Sequence, residues 1–538
     1  GALRNTLDGR VSVSKTWEGD NTELDLRPAQ VGIELQASVD GGATWGPMRE
    51  VLAAAGFDMS GVLQGVPLSL TLPFNGRWST AWGSLPLTGV VPATGERLSI
   101  SYRVVETFIG TPGTPMYQPI VLGQLDAAGT DYGTTYPYQV SATVSGSLGG
   151  LSGSLDFSIK NSLYATDVSI TKVWDDADDY WGLRRDVTFA LERRAEGGQW
   201  EPVMRESDPA APVTATLAAP AAPQDSATLS LTRLPAYLPD GTPCEYRLVE
   251  VAQSPYDGVW SDGQGNAVPS EDAGMDGQTL TNRLRTVGLV GTKAWDDADG
   301  AAPVPDVSDE AMRPTLVLER SSDGGTTWSA VTCPDGPVWS AGEGGSWTFA
   351  YEGLPACDAS GNAYSYRARE LGVVPGYHPV QADAPSTLRP DGTAWENPVM
   401  TNELNRLALE KLGADGAPLN GVSLAVRSLD RRVTYALWER DGDGGAAARV
   451  WRSGTLDPEG DGTCVSTAGV LVGLAAGIYR VEETVPPNGY TVLEPAVIEI
   501  AASGAATLLD AAPGWSVSAD GAALTAVDKP VSAVLYKL

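Results

Sequence analysis

Seven lysines stand against 29 arginines in this 538-residue chain, and five of the seven share one register. Each closes a short run of the form hydrophobic, any, small or hydrophobic, any, Lys. The runs are VSVSK ending at Lys15, VSITK at Lys172, LVGTK at Lys293, LALEK at Lys411 and AVLYK at Lys537. Basic surface positions have otherwise gone to arginine, so a lysine placed this selectively is used for its amine. One Tyr-Arg-x-x-Glu falls between each pair of successive lysines: Glu106 in YRVVE, Glu250 in YRLVE, Glu370 in YRARE and Glu483 in YRVEE. A carboxamide or carboxyl then closes each repeat, 9 to 11 residues before the next lysine: Asn161 in IKNSL, Asn282 in LTNRL, Asn402 in MTNEL and Asp528 in AVDKP. Asn5 in LRNTL stands in the same relation to Lys15. Asn5 is therefore expected to end a preceding unit and Lys537 to begin a following one, both without partners in this chain.

An amine, a carboxylic acid and a carboxamide brought into one apolar core have a definite chemistry. Burial lowers a lysine pKa and raises that of a glutamic acid. A neutral amine can then attack the side-chain carbonyl of Asn while Glu polarises that carbonyl and relays protons. Ammonia leaves and an amide cross-link remains; at Asp528 the leaving group is water. Fixed contact supplies the rate, since effective molarities of about 10⁵ M or more are reachable. The expected cross-links are Lys15–Asn161, Lys172–Asn282, Lys293–Asn402 and Lys411–Asp528, with Glu106, Glu250, Glu370 and Glu483 as catalytic residues. Glu482 rivals Glu483, which is preferred because it keeps the spacing of four from its tyrosine. A lone lysine at a strand start is usually a solvated edge residue. Four ordered triples in a chain with seven lysines outweigh that reading.

The elements that must position these groups read as strands. Short alternating runs such as Thr188-Phe189-Ala190-Leu191 and Leu316-Val317-Leu318 are broken by Asp-Gly, Gly-Gly and Pro-Asp turns, and long helical patterns are missing. The fold class is all-β, a tandem array of sandwiches. The repeat divides the chain into units of about 9–164, 165–285, 286–405 and 406–530, with 1–8 ending a preceding domain and 531–538 starting a following one. Lysine-to-lysine spacings of 157, 121 and 118 put an insertion in the first unit, expected at its Tyr/Gly/Ser/Thr-rich segment about 108–155. Linkers this short argue for a rod-like array. First and last strands of a sandwich can be neighbours, which would bring all three groups together.

Three of the lysines continue as Lys-x-Trp, at Trp17, Trp174 and Trp295, expected as core aromatics over the cross-link. The segments VSVSKTW, ITKVWDDADD and GTKAWDDADG, then Arg27-Pro28, Arg184-Arg185 or Arg313-Pro314, then YRxxE and TN-x-L, resemble collagen-adhesin B-type (CnaB) domains, the stalk units of Gram-positive adhesins and pilins. The last unit, with EKLGADGAPLNGVSLAV and GIYRVEETVPPNGY, resembles the pilin-type subclass. The resemblance covers nearly the whole chain. It implies immunoglobulin-like sandwiches with intramolecular Lys–Asn or Lys–Asp isopeptide bonds and a catalytic Glu, and a structural stalk segment at the bacterial cell surface. Anchor and signal peptide are then expected outside this segment. Departures are the insertion in the first unit and the missing Lys-x-Trp in the fourth.

Other features bound the function. A net charge of −31 and a pI near 4.3 repel nucleic acid and anionic membranes, so neither is an expected partner. Partners are expected among the neighbouring domains, with a host matrix protein or glycan as a further candidate. One histidine, His378, leaves no room for a His-based triad or a His-rich metal site. No cofactor or metal is expected: the acidic runs at 175–179 and 296–300 fail the EF-hand spacing and read as solvated loops. LPLTG at 85–89 coincides with the Leu-Pro step of the repeat and lacks a sorting tail. Four cysteines make no framework; Cys333 with Cys357 is the one pairing to test, and Cys244 and Cys464 are expected as buried thiols. Sixteen tryptophans raise an alternative function, adhesion through an exposed patch, with Trp78, Trp82, Trp181, Trp260 and Trp395 unassigned and the first domain the favoured place. Acidic residues lie everywhere with no privileged pair, which speaks against a glycosidase.

Overall fold

The computed structural model describes residues 8–57, 69–73, 76–91, 93–110, 120–122, 131–148, 152–252, 255–296, 304–381, 384–429, 436–440, 446–449, 465–466, 469–511 and 513–531. Strands dominate it; the one α-helix among the described residues is Met48–Ala54, and none is long and apolar enough to cross a membrane. The chain forms two compact units, Gly1–Leu284 and Arg285–Leu538, and each holds two pairs of sheets.

One topology recurs in every sheet pair. The strand that carries the lysine lies parallel to the strand that carries Asn or Asp: Asp8–Glu18 with Ser152–Leu163, Ala165–Asp175 with Thr279–Leu284, Thr286–Asp296 with Met400–Leu404, and Arg406–Gly413 with Ala523–Asp528. The Glu-bearing strand lies in the facing sheet, antiparallel to the second strand of its unit: Ser101–Ile109 on Val31–Ser38, Cys244–Glu250 on Val187–Ala195, Ser365–Leu371 on Thr315–Ser321, and Gly477–Val485 on Val422–Ser428. These are the immunoglobulin-like sandwiches that the B-type resemblance implies.

Period-two alternation explains how a lysine enters the core. In Ala165–Asp175 the inward positions are Val168, Ile170, Lys172 and Trp174, all buried. A slip of one residue would turn all four outward, so three apolar neighbours fix the lysine's direction. The first and second sandwiches have their own clusters, one centred on Val11, Ile33, Val104 and Phe157, the other on Ile170, Phe189, Leu248 and Leu280. A third cluster runs through the second compact unit, from Trp347 to Leu409, Val426 and Ile498.

Single residues join successive sandwiches within each unit. Tyr164 donates its N–H to Pro137 O behind it (3.0 Å) and accepts from Ala236 ahead of it (2.7 Å); Asn405 does the same with Gly376 (2.9 Å) and Gly473 (2.8 Å). The extra length of the first repeat is split rather than confined to 108–155. Its Lys-to-Glu separation is 91 residues against 78 in the second, and its Glu-to-Asn separation is 55 against 32. The earlier part includes the helix Met48–Ala54 and the hairpin Thr88–Val90 with Arg97–Ser99; the later part includes Asp131–Thr135 and an elongated Tyr138–Ser147.

Candidate functional site

Each sandwich holds a buried cluster at the same place. The parallel register sets Trp17, Trp174 and Trp295 opposite Asn161, Asn282 and Asn402, and Gly413 opposite Asp528, so the acceptor faces the residue two beyond the lysine in all four. Side chains at i and i+2 share a face, which brings lysine, tryptophan and acceptor to one side of the sheet. Across the core, Glu106, Glu250, Glu370 and Glu483 stand in register with Ile33, Phe189, Leu316 and Leu424. The side chains of the four lysines and four glutamates are at most 1% exposed.

In three sandwiches the glutamate bridges donor and acceptor with separate oxygens. Lys15 Nζ lies 2.7 Å from Glu106 Oε2, Lys172 Nζ 2.9 Å from Glu250 Oε2 and Lys293 Nζ 3.0 Å from Glu370 Oε2. The other oxygen, Oε1, accepts from Asn161 Nδ2 at 3.4 Å, Asn282 Nδ2 at 3.1 Å and Asn402 Nδ2 at 2.9 Å. This orientation leaves the Asn carbonyl oxygens buried with no hydrogen-bond partner among the described residues. An unmet buried acceptor costs about 1–3 kcal/mol. Burial lowers the Lys15 ammonium below its usual range and pushes Lys172 and Lys293 down to about 8, against the pull of the paired glutamate.

The fourth cluster differs as its chemistry requires. Asp528 has no N–H to give, and its Oδ1 lies 2.8 Å from Lys411 Nζ, which is also 2.9 Å from Glu483 Oε1. Glu483 turns its other oxygen to the Leu493 N–H at 2.8 Å. Glu482, the rival, points out toward Arg427 and Arg480.

Aromatic rings cover the amines. Lys15, Lys172 and Lys293 Nζ lie 5.1, 5.8 and 5.1 Å from the ring centres of Trp17, Trp174 and Trp295. A second aromatic, which sequence reasoning passed over, closes the arrangement: Tyr138 lies edge-on to Trp17 at 5.1 Å, and Tyr377 to Trp295 at 5.0 Å. Its signal is a Pro-Tyr or Gly-Tyr step at Tyr138, Tyr256 and Tyr377. Also overlooked was the acidic-Gly-Gly hairpin ending in Trp45, Trp200 and Trp328. On each of these rings stacks the arginine of YRxxE: Arg103 at 4.6 Å, Arg247 at 4.5 Å and Arg367 at 4.2 Å. The tyrosine of YRxxE faces inward and donates to the Leu-Pro step, Tyr102 to Pro86 O, Tyr246 to Pro235 O and Tyr366 to Pro355 O at 2.7–2.8 Å. In the fourth repeat Tyr479 finds Ala475 O at 2.7 Å instead.

Several expectations change. The run at 175–179 is not simply solvated: Asp176 is buried, bound by Arg184 and by the Tyr256 hydroxyl at 2.9 Å. Most of the run at 296–300 lies outside the described residues, as do Asn5, Lys537 and Cys464. Cys333 and Cys357 are thiols rather than a disulfide, Cys333 directed to Glu352 O (3.7 Å) and Cys357 receiving Arg285 (3.6 Å). Cys244 is only half-buried. Of the unassigned tryptophans, Trp82 is buried, Trp78 packs on Trp17, and Trp260 packs on the core of the second sandwich. Trp181 and Trp395 are half-buried.

No family model matches the chain, and no curated protein does. Solved structures do. The chain is similar to collagen-binding B repeats and to pilus proteins. Two B repeat units (B1B2) of the collagen-binding protein Cna of Staphylococcus aureus are 16% identical, covering 97% of this chain and 99% of that one, with a TM-score of 0.22. The pilus adhesin SpaC of Lactobacillus rhamnosus GG is 13% identical over 94% of this chain, which spans 57% of SpaC, with a TM-score of 0.30. The shaft pilin SpaA of the same organism is 18% identical, covering 47% of this chain and all of that one, with a TM-score of 0.18. At these scores the likeness carries no functional weight.

Proposed function

We propose that this chain is a stalk segment of a bacterial surface adhesin or pilin, built of four domains at about 9–164, 165–285, 286–405 and 406–530, each stapled by a self-made Lys–Asn or Lys–Asp amide. The observation that carries the reading is the recurrence of one buried triad, in one register, in all four sandwiches. Lysine is almost never fully buried unless it is paired, and here four of the chain's seven lysines are buried, each against a glutamate.

The mechanism follows from which oxygen touches what. Glu Oε2 takes a proton from Lys Nζ, and the neutral amine attacks the Asn Cγ beside it. The Nζ–Cγ bond forms and the Cγ–Nδ2 bond breaks. Nζ gives up a second proton as it becomes the amide N–H. Of the two protons, one passes through the carboxyl to Nδ2, already held at Oε1, which leaves as ammonia, and the other stays on the Glu carboxyl. In the fourth domain the acceptor reacts as its carboxylic acid, and an Asp528 oxygen leaves as water. Each site turns over once and needs no outside substrate.

Stapling the first strand to the last gives the segment a mechanical role. Pulled from its ends, a linked domain withholds the chain between lysine and acceptor. Single-molecule extension of the wild type should show no unfolding step for the second domain. Glu250→Ala should restore one of about 40 nm, the extended length of the 110 residues between Lys172 and Asn282. A wild-type chain that already gives that step would refute the stalk reading.

A further inference from the structure

The loop that follows the first lysine strand does not stay with its own sandwich. Leu24 is 9% exposed and belongs to the hydrophobic cluster of the second sandwich, with Val168, Val203, Val213 and Leu234; Leu26 packs against the same cluster. Polar contacts surround this apolar anchor. Asn21 folds the loop, its Oδ1 accepting from the Glu23 and Leu24 amides at 3.1 and 3.2 Å, and its Nδ2 donates to Thr232 O at 2.8 Å. Asp25 accepts the Ser207 amide (3.0 Å) and hydroxyl on its carboxylate, and the Glu206 amide on its carbonyl (2.8 Å). Glu206 answers by accepting the Ala29 N–H at 3.2 Å. Asp20 and Arg27 close the loop on itself through a two-point ion pair.

We propose that residues 20–29 are a docking tongue whose partner is the following sandwich, and that the second sandwich reaches its full stability only with the first in place. The tongue supplies a leucine to a core that is open at that edge, and its side-chain carboxylate and amide meet backbone groups of Ser207 and Thr232. A sequence feature that cross-linking leaves unexplained then has a use. A hydrophobic residue precedes each Arg-Pro or Arg-Arg step, as Leu26, Leu183 and Met312. Met312 belongs to the cluster that runs through the third and fourth sandwiches. The proposal depends on packing and not on the amide staples.

Hydrogen exchange on the full chain tests it, comparing wild type with Leu24→Asp. Amides of Thr214–Leu217 and Ser226–Pro235 should exchange faster by about tenfold or more, because a charge at the core mouth favours local opening. Those of Val422–Ser428 should not change. Exchange confined to residues 20–29 would overturn the proposal. If Leu24→Asp also strips protection from Val31–Ser38, the first sandwich itself has failed, and Asn21→Ala decides. That variant loses the Thr232 contact and should raise exchange in Ser226–Pro235 by a few fold; no change there would equally overturn the proposal.

Discussion

Lys172 shows at the residue scale why the four clusters call for chemistry rather than storage of charge. A buried ion pair seldom outweighs the desolvation of its members, and well-packed apolar residues of the same size often stabilise more. Asn282 beside it keeps an unmet carbonyl oxygen. Conversion to an amide removes both charges. This gives a pH test with a defined sign. In Asn282→Ala the amine stays, with burial holding it near 8 in the folded chain against 10.5 when exposed. Between those values the unfolded chain binds more protons, so the variant gains stability as pH rises from about 8 to 10.5; below 8 the burial penalty is felt in full. A wild type whose amine is consumed, as proposed, would lack this dependence. Unfolding free energies of the two proteins from urea titrations should therefore converge by up to a few kcal/mol across that window. A gap that stays constant with pH would mean that Lys172 titrates normally.

At the scale of elements, the parallel pairing of first and last strands is what makes the sites. The register of the lysine runs and the YRxxE spacing were in the sequence, so the buried lysine and its buried glutamate were legible from residues 11–15 and 102–106. The exact partner register was not, because nothing local encodes which residue of a strand over 100 positions away lies opposite. The aromatic cover was legible by half: Lys-x-Trp announced Trp17 and Trp295, whereas Tyr138 and Tyr377 arrive from a strand whose spacing to Asn varies between repeats. Asp176 was misjudged because its partners, Arg184 and Tyr256, converge only in three dimensions. Two outcomes belong here. Trp295→Ala should cost about 3–5 kcal/mol and, by admitting water, slow amide formation at Lys293–Asn402 alone; time-resolved peptide mapping reads both sites side by side. Tyr246→Phe removes the bond to Pro235 O and should cost the second sandwich about 1 kcal/mol in an unlinked Glu250→Ala background, measured by urea unfolding.

For the whole molecule, the proposed amide between first and last strands would close a loop of over 100 residues in every repeat. By the chain-entropy model used for disulfides, each closure is worth about 4–5 kcal/mol against the unfolded chain. Unlike a disulfide it survives reduction, which suits a chain whose described cysteines are thiols. The wild type should resist trypsin at temperatures where the quadruple variant Glu106→Ala, Glu250→Ala, Glu370→Ala and Glu483→Ala is cut within minutes. Equal digestion of the two would remove the stabilising role. The most direct measurement is intact mass under denaturing conditions, wild type beside that quadruple variant. Three losses of ammonia and one of water predict a wild-type deficit of about 69 Da that the variant lacks. A wild type at its full unmodified mass would contradict the account and leave four buried lysines without a chemical purpose.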